Sequence, residues 1–212
     1  MMAGSLITFE GIDGSGKSTQ IQMLENEFNK LGVEYKTFRE PGGTDLSEKI
    51  RAILLNKENI ALLATAESLL FAAARAQLTA EQIKPAIAKG EFVICDRFTD
   101  STIAYQGYGR GVDIKILEGI NHIATYGLTP DITFILDINP ETAADRMVAE
   151  APDRMEATGV EFFRRIREGY HKIKNQDPNR YRIVNGEQSP ENVFKEIKEI
   201  IIKKFEEKLI CI

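Results

Sequence analysis

One run, Gly11-Ile12-Asp13-Gly14-Ser15-Gly16-Lys17-Ser18, constrains this 212-residue chain more than anything else in it. Glycines at this spacing let successive backbone N–H groups curl around an anion. A lysine then reaches the outer phosphates of a nucleotide, and a serine hydroxyl is offered to Mg2+. The pattern alone occurs by chance, so its context decides. Here a short apolar strand over residues 6–10 (LITFE) leads into it. A stretch with apolar Ile21, Leu24, Phe28 and Leu31 leaves it, a helical stripe over 17–31 stopped by Gly32. The N-terminus of that helix adds about half a positive charge to the cradle. The phosphate-binding set is therefore Gly11, Ile12, Asp13, Gly14, Ser15, Gly16, Lys17, Ser18 and Thr19.

The rest of the chain repeats the alternation. Further strands are expected at 35–38, 92–95, 132–136 and 181–184. Further helices are expected at 46–55, 61–80, 101–108, 113–126, 160–174 and 190–208. Residues 81–89 continue helically around Pro85, which should kink or restart the helix. Asn139-Pro140 and Ser189-Pro190 each place a capping residue before a proline, and the first opens a helix to about residue 147. Residues 92–95 (FVIC) are wholly apolar, as befits a central parallel strand covered on both faces. Such alternation predicts an α/β fold, a parallel sheet with helices on both faces. Ligands then belong at the carboxyl ends of the strands. Asp96, at the end of strand 92–95, is the expected Mg2+ partner of Ser18. The apolar helix 61–80 is expected to be buried, in the core or against a second subunit.

Composition narrows the function. A net charge of −5 disfavours a life on nucleic-acid backbone, so any anionic ligand must be met by locally clustered cations. Cys95 and Cys211 cannot make a disulfide framework and read as reduced thiols of a cytoplasmic protein. No basic segment precedes the short apolar run at the start, so no export signal is expected. The longest apolar stretch, 60–76, is broken by Glu67 and Arg75, too short and polar for a bilayer span. One domain, 1–212, is expected, with 1–4 disordered or an added remnant and a lid over about 141–157. His122 and His171 sit in ordinary helical contexts and read as structural.

An Asn-Lys-x-Asp run, needed for a GTPase, is missing from the sequence, and so is a Leu-Ser-Gly-Gly-Gln signature. A small kinase remains. Three further runs join the phosphate loop: Arg39-Glu40-Pro41-Gly42-Gly43-Thr44; Leu70-Phe71-Ala72-Ala73-Ala74-Arg75; and Asp96-Arg97-Phe98 followed by Ser101-Thr102-Ile103-Ala104-Tyr105-Gln106-Gly107. With FEGIDGSGKST the set closely resembles the thymidylate kinase family, from about residue 6 to 205. The resemblance implies a P-loop nucleoside monophosphate kinase fold, a homodimer, and transfer of the γ-phosphate of ATP to dTMP with Mg2+. It further implies that Phe71 stacks on thymine, that Arg75 reaches a base carbonyl, and that Thr102 and Gln106 meet the remaining polar edge. Tyr105 would crowd the sugar. Arg51 and Arg97 would hold the acceptor phosphate, Glu40 and Pro41 would border the substrate, and Asp13 would lie beside sugar and phosphate.

The residues support this independently. Phe71 and Arg75, four apart, share a helix face, and an aromatic beside an arginine suits a planar ring bearing carbonyls. Arg75, if buried, must be paired, and its own helix offers Glu67 as partner. An acceptor phosphate needs no general base, so the difficulty is charge. Lys17, Arg97, Arg51, Mg2+ and a lid arginine must supply it. The lid departs from the family. The slot that carries an arginine in one branch is Gly14 here, and between residues 140 and 156 only Arg146 and Arg154 occur. Arg146 is assigned to the adenine face and Arg154 to the transferring phosphate. A kinase of another nucleoside or nucleoside monophosphate, and a non-catalytic nucleotide-binding module, remain open on sequence alone.

Overall fold

A computed structural model describes residues 3–59, 61–147, 154–155 and 159–210. Five parallel strands form one sheet: β1 (Ser5–Glu10), β2 (Tyr35–Arg39), β3 (Phe92–Asp96), β4 (Ile132–Asp137) and β5 (Tyr181–Asn185), in the order β2-β3-β1-β4-β5. Phe9 of β1 lies opposite Asp96 of β3 and Phe134 of β4, so the chain leaves the sheet beside Asp96. All six residues of β1 are buried, which is why this strand runs down the middle.

The period-two alternation of the strands sorts the core. Ile7, Phe9, Phe134 and Val184 pack with Leu24 and Phe28 of α1 (Lys17–Leu31) and with Val193 and Ile197 of α9 (Pro190–Lys204). Leu6, Val93 and Cys95 point the other way, against Leu78 and Ile83. A second body of that face joins Ile135 to Tyr105, Phe162 and Ile166. Helix α1 ends where the sequence predicts, at Gly32 with φ of 70°, its N–H returning to Phe28 and Asn29. Helix α2 (Asp45–Leu55) starts at Thr44, whose hydroxyl accepts from the Ser47 N–H at 3.1 Å.

The apolar stretch 61–80 differs from expectation. Helix α3 (Ala64–Leu78) passes into a π-helical turn, Thr79–Ile83, and then α4 (Lys84–Ala88), with Pro85 in its first turn. Burial holds for one face of α3 only, the face carrying Glu67, Arg75 and Leu78. Leu69 on its other face is 53 % exposed. The stretch expected as one helix over 101–108 is a short α5 (Thr99–Thr102) followed by a π-helical turn, Ile103–Gly109. After it come α6 (Ile114–Thr125), α7 (Pro140–Arg146) and α8 (Val160–Lys174). Asn139 stands at the start of α7 without capping it, and its side-chain oxygen accepts from Arg167 of α8 instead. The last helix breaks at Phe205, with α10 (Glu206–Ile210) beyond. Met1, Met2, Cys211 and, of the expected lid, residues 148–153 and 156–157 lie outside the described residues.

Candidate active site

The loop between β1 and α1 turns through Gly11, Gly14 and Gly16, all with positive φ (135°, 75° and 93°). Lys17 folds over it and donates to the carbonyls of Gly11 (3.2 Å) and Ile12 (3.0 Å). Burial, then the nearby Arg97 charge, lowers the Lys17 pKa from the ordinary lysine value. The loop opens on a cavity of about 700 Å3 that also touches Arg39, Asp96, Arg146, Gly186, Gln188 and Val193. Ser18 Oγ donates to Asp96 Oδ2 at 3.3 Å, so the two expected Mg2+ partners adjoin at its rim. Arg146 donates to the carbonyl of Gly186 at 3.1 Å and enters the same cavity. Gly14 has a reason of its own. A Cβ there would lie 2.7 Å from the Ala143 carbonyl of α7, so an arginine in this slot requires α7 to move.

A second, smaller cavity, about 90 Å3, is lined by Pro41, Leu55, Phe71, Arg75, Ser101, Thr102, Tyr105, Gln106 and Met155. Arg75 is 2 % exposed, and its partner is not the one expected. Its Nε donates to Glu40 at 2.6 Å, thirty-five residues away, rather than to Glu67 of its own helix. Its remaining contacts are Thr102 Oγ1 (2.9 Å), Asn121 Oδ1 (2.7 Å) and the Phe98 carbonyl (2.9 Å). Among the described residues four of the five N–H groups of this guanidinium are thereby used, which leaves one on Nη2. Burial pushes the Glu40 carboxyl up to about 7, against the pull of Arg75. Glu67 serves others. Gln106 Nε2 donates to its Oε1 at 2.8 Å, Arg110 Nε stands 3.5 Å from the same oxygen, and Arg154 Nη1 is 2.7 Å from Oε2.

Asp13, Glu40, Arg51 and Arg97 line both cavities, so they stand where the two meet. Arg97 has φ of 71°, and its guanidinium donates to Asp13 Oδ1, the Gly11 carbonyl and Ser101 Oγ. Tyr105 donates to the other Asp13 oxygen at 2.9 Å and lies under the Arg97 guanidinium, 4.9 Å from ring centre to Cζ. Burial alone would raise the Asp13 pKa, but the Arg97 and Lys17 charges outweigh it and hold the carboxyl below its ordinary value. Arg51 donates to the Pro41 carbonyl at 3.0 Å.

Gly11 and Ile12 contribute to the site through the carbonyls that hold Lys17, while Thr19 and Pro41 line a cavity each. Arg154, expected at the transferring phosphate, lines neither cavity. It bridges Glu67 and the Leu54 carbonyl at the end of α2, because a buried carboxylate is there to meet it. The sequence reading missed Glu10, Asn121, Gly186 and Gln188. Glu10 is fully buried and accepts from the N–H groups of Phe98 and Ser101 and from the hydroxyls of Ser101 and Tyr170. A charged residue closing an otherwise apolar strand, directly before the loop, was the available signal.

An open parallel sheet with a phosphate loop after its central strand, and two cavities meeting at an arginine and an aspartate, defines a P-loop kinase of the nucleoside monophosphate type. The family model described as thymidylate kinase matches residues 9–197. A thymidylate kinase from Chlorobium phaeobacteroides is 47 % identical over 94 % of this chain and 95 % of its own. One from Caldanaerobacter subterraneus subsp. tengcongensis is 45 % identical over 98 % of both. The crystal structure of thymidylate kinase from Ehrlichia chaffeensis superposes with a TM-score of 0.74 at 35 % identity, covering 94 % of this chain and 99 % of that one. The chain belongs to the thymidylate kinase family.

Proposed function

We infer that this chain carries out thymidylate kinase chemistry: the γ-phosphate of ATP passes to dTMP, giving dTDP and ADP. One observation carries the reading of the site. The large cavity holds the phosphate loop, the small one holds an aromatic and a buried arginine, and Arg97 and Asp13 stand at their junction. ATP fills the first, with its phosphates on the loop and Lys17 and its adenine towards Arg146, Gln188 and Val193. The thymine of dTMP enters the second, on Phe71, with its edge towards Arg75, Thr102 and Gln106. Glu40 and Pro41 border it, Tyr105 and Asp13 meet the sugar, and Arg51 and Arg97 take the acceptor phosphate.

An acceptor phosphate is already an anion, so the chemistry is positioning and charge. Two single negative charges ~4 Å apart repel by roughly 4 kcal/mol at an effective dielectric of ~20. Lys17, Arg51 and Arg97 offset this from the protein side. Asp13 orients Arg97 and keeps its donors turned to the junction. The donor set at Ser18 and Asp96 fits Mg2+, for both are hard oxygen ligands beside the phosphate cavity. Among the described residues no group of three or more His, Cys, Asp or Glu could hold the ion alone, so Ser18 and Asp96 would hold it together with phosphate oxygens and water. Bound there, Mg2+ supplies charge neutralisation.

The same reading takes 1–212 as one kinase domain with a lid near 141–157, works on small nucleotides rather than nucleic acid or membrane, and sets it in the cytoplasm, which suits the free, buried Cys95. It pairs two copies of the chain. Leu46 and Ile53 of α2, Leu69 of α3, and Ile116 and Ile123 of α6 are large apolar side chains left exposed on three helices that pack side by side. Steady-state ADP release with dTMP, dUMP, dCMP and thymidine as acceptors tests the activity. We expect dTMP to be best and dUMP poor but real, since a methyl is worth only ~1–3 kcal/mol. Turnover of thymidine in preference to dTMP would overturn the assignment.

A further inference from the structure

We propose that Glu67 sets the base preference of this enzyme by fixing which way round Gln106 presents its amide to the substrate. The inference rests on placing the base in the smaller cavity, and it adds a residue that lines neither cavity.

A glutamine side chain is ambiguous, since it offers an acceptor oxygen on one side and two donors on the other. Alone, Gln106 would read a base edge in either sense. Here Nε2 is committed: it donates to Glu67 Oε1 at 2.8 Å. Glu67 cannot take the opposite part. Its carboxylate is 1 % exposed and paired with the guanidiniums of Arg110 and Arg154, and a paired carboxylate only accepts. Turning the amide over would set two oxygens against each other in a buried site. Gln106 Oε1 is thereby turned away from Glu67 and left to accept from the base.

The other two polar groups can take the complementary part. Thr102 Oγ1 already accepts from Arg75, and its hydroxyl hydrogen is available to donate. Arg75 has a single N–H left, also a donor. The wall thus offers two donors and one acceptor. Thymine and uracil present two carbonyls and an N–H, which such a wall satisfies. Cytosine presents an acceptor ring nitrogen and an amino donor where these need the reverse. Sites that leave buried hydrogen-bonding groups unpaired with the wrong ligand discriminate by ~10⁴ or more.

The test compares kcat/KM for dTMP and dCMP in the wild type and in Glu67→Gln. The introduced amide offers either an oxygen or an NH2, so Gln106 is released to turn. We expect the dTMP:dCMP ratio to fall by about tenfold or more. Loss of the negative charge between Arg110 and Arg154 slows all acceptors alike and leaves that ratio untouched, so an unchanged ratio in the folded variant overturns the proposal. Phe71→Ala separates this from the reading beneath it. If its KM for dTMP does not rise, the base is not in this cavity and both fail. If it rises while the ratio in Glu67→Gln stands, the proposal alone fails. A measurement on unmutated protein covers a variant that does not fold. The assigned 15N side-chain amide of Gln106 should exchange slowly before dTMP is added and keep that protection after it. Fast exchange in the unliganded enzyme, with protection only on dTMP binding, refutes the commitment of Nε2 to Glu67.

Discussion

Arg97 adopts a left-handed backbone conformation, φ 71°, that side-chain-bearing residues rarely take. Its neighbours hold it there: Glu10 ties down the N–H groups of Phe98 and Ser101, and Asp13 and Ser101 take its guanidinium. Truncation to alanine removes the charge at the junction of the cavities without emptying a core site. Arg97→Ala should lower kcat/KM for dTMP by about 10³-fold and move the KM for ATP by less than about threefold, read from initial rates. Glu40 carries a different signal. Its carboxyl is raised to about 7 in the folded chain, so the folded state holds its proton more tightly than the unfolded one. Stability from that proton is complete below the ordinary carboxyl pKa and is lost as pH climbs through about 7. Urea unfolding from pH 4.5 to 8 should therefore show the wild type losing on the order of 3 kcal/mol relative to Glu40→Gln, with the difference flat above pH 8. A constant difference across that range would show that Glu40 ionises normally in the fold.

At the scale of elements, the phosphate loop and α7 form one unit. The loop's Gly14 approaches the Ala143 backbone so closely that a methyl group has no room, and its φ of 75° disfavours any side chain. Gly14→Ala should cost about 1–3 kcal/mol of stability and raise the KM for ATP more than that for dTMP, by thermal unfolding and steady-state kinetics. Elements were legible in the sequence where one physical signal dominated. Helix α1 lies between a phosphate loop and a stop glycine, α8 has a strong apolar stripe, and the strands are short apolar runs; all match closely. The π-helical turns at 79–83 and 103–109 were not legible, because a widened turn keeps the same residue types and differs only in which carbonyl each N–H finds. The candidate site was legible in its members but not in their pairing. Phe71, Arg75, Thr102, Tyr105 and Gln106 share a cavity as expected, yet Arg75 is held by Glu40 of a distant loop, and Glu67 holds Gln106. Pairing across elements depends on which loops the sheet brings together, and periodicity along one helix carries no trace of it.

For the whole molecule, α3 turns cavity-lining residues to one side and apolar side chains to the other. Glu67 and Arg75 lie on its buried face, with Phe71 lining the smaller cavity, while Ala66, Leu69 and Ala73 are exposed on its outer side. The neighbouring α6 exposes Ile116 and Ile123, the latter 76 % open. An outer face this apolar, on the element that carries the proposed base-binding residues, wants a cover, and burying each large aliphatic side chain returns roughly 1.5–3 kcal/mol. A second copy placing the same three helices against these would meet the self-complementarity of a two-fold interface. Charges at its centre would be left desolvated and facing their own images. If two copies pair through these helices as proposed, the wild type should sediment as a dimer and the pair Leu69→Asp with Ile123→Asp as a monomer, with an unchanged far-ultraviolet circular dichroism spectrum. Loss of the cover loosens α3, which bears Phe71 and Arg75, before it touches the phosphate loop, whose helix α1 packs on the other face of the sheet. The monomer should thus show a higher KM for dTMP and a nearly unaltered KM for ATP. A wild type that sediments as a monomer at assay concentration would remove the basis for this, and equal damage to both KM values would show that the substitutions act through the fold as a whole rather than through α3.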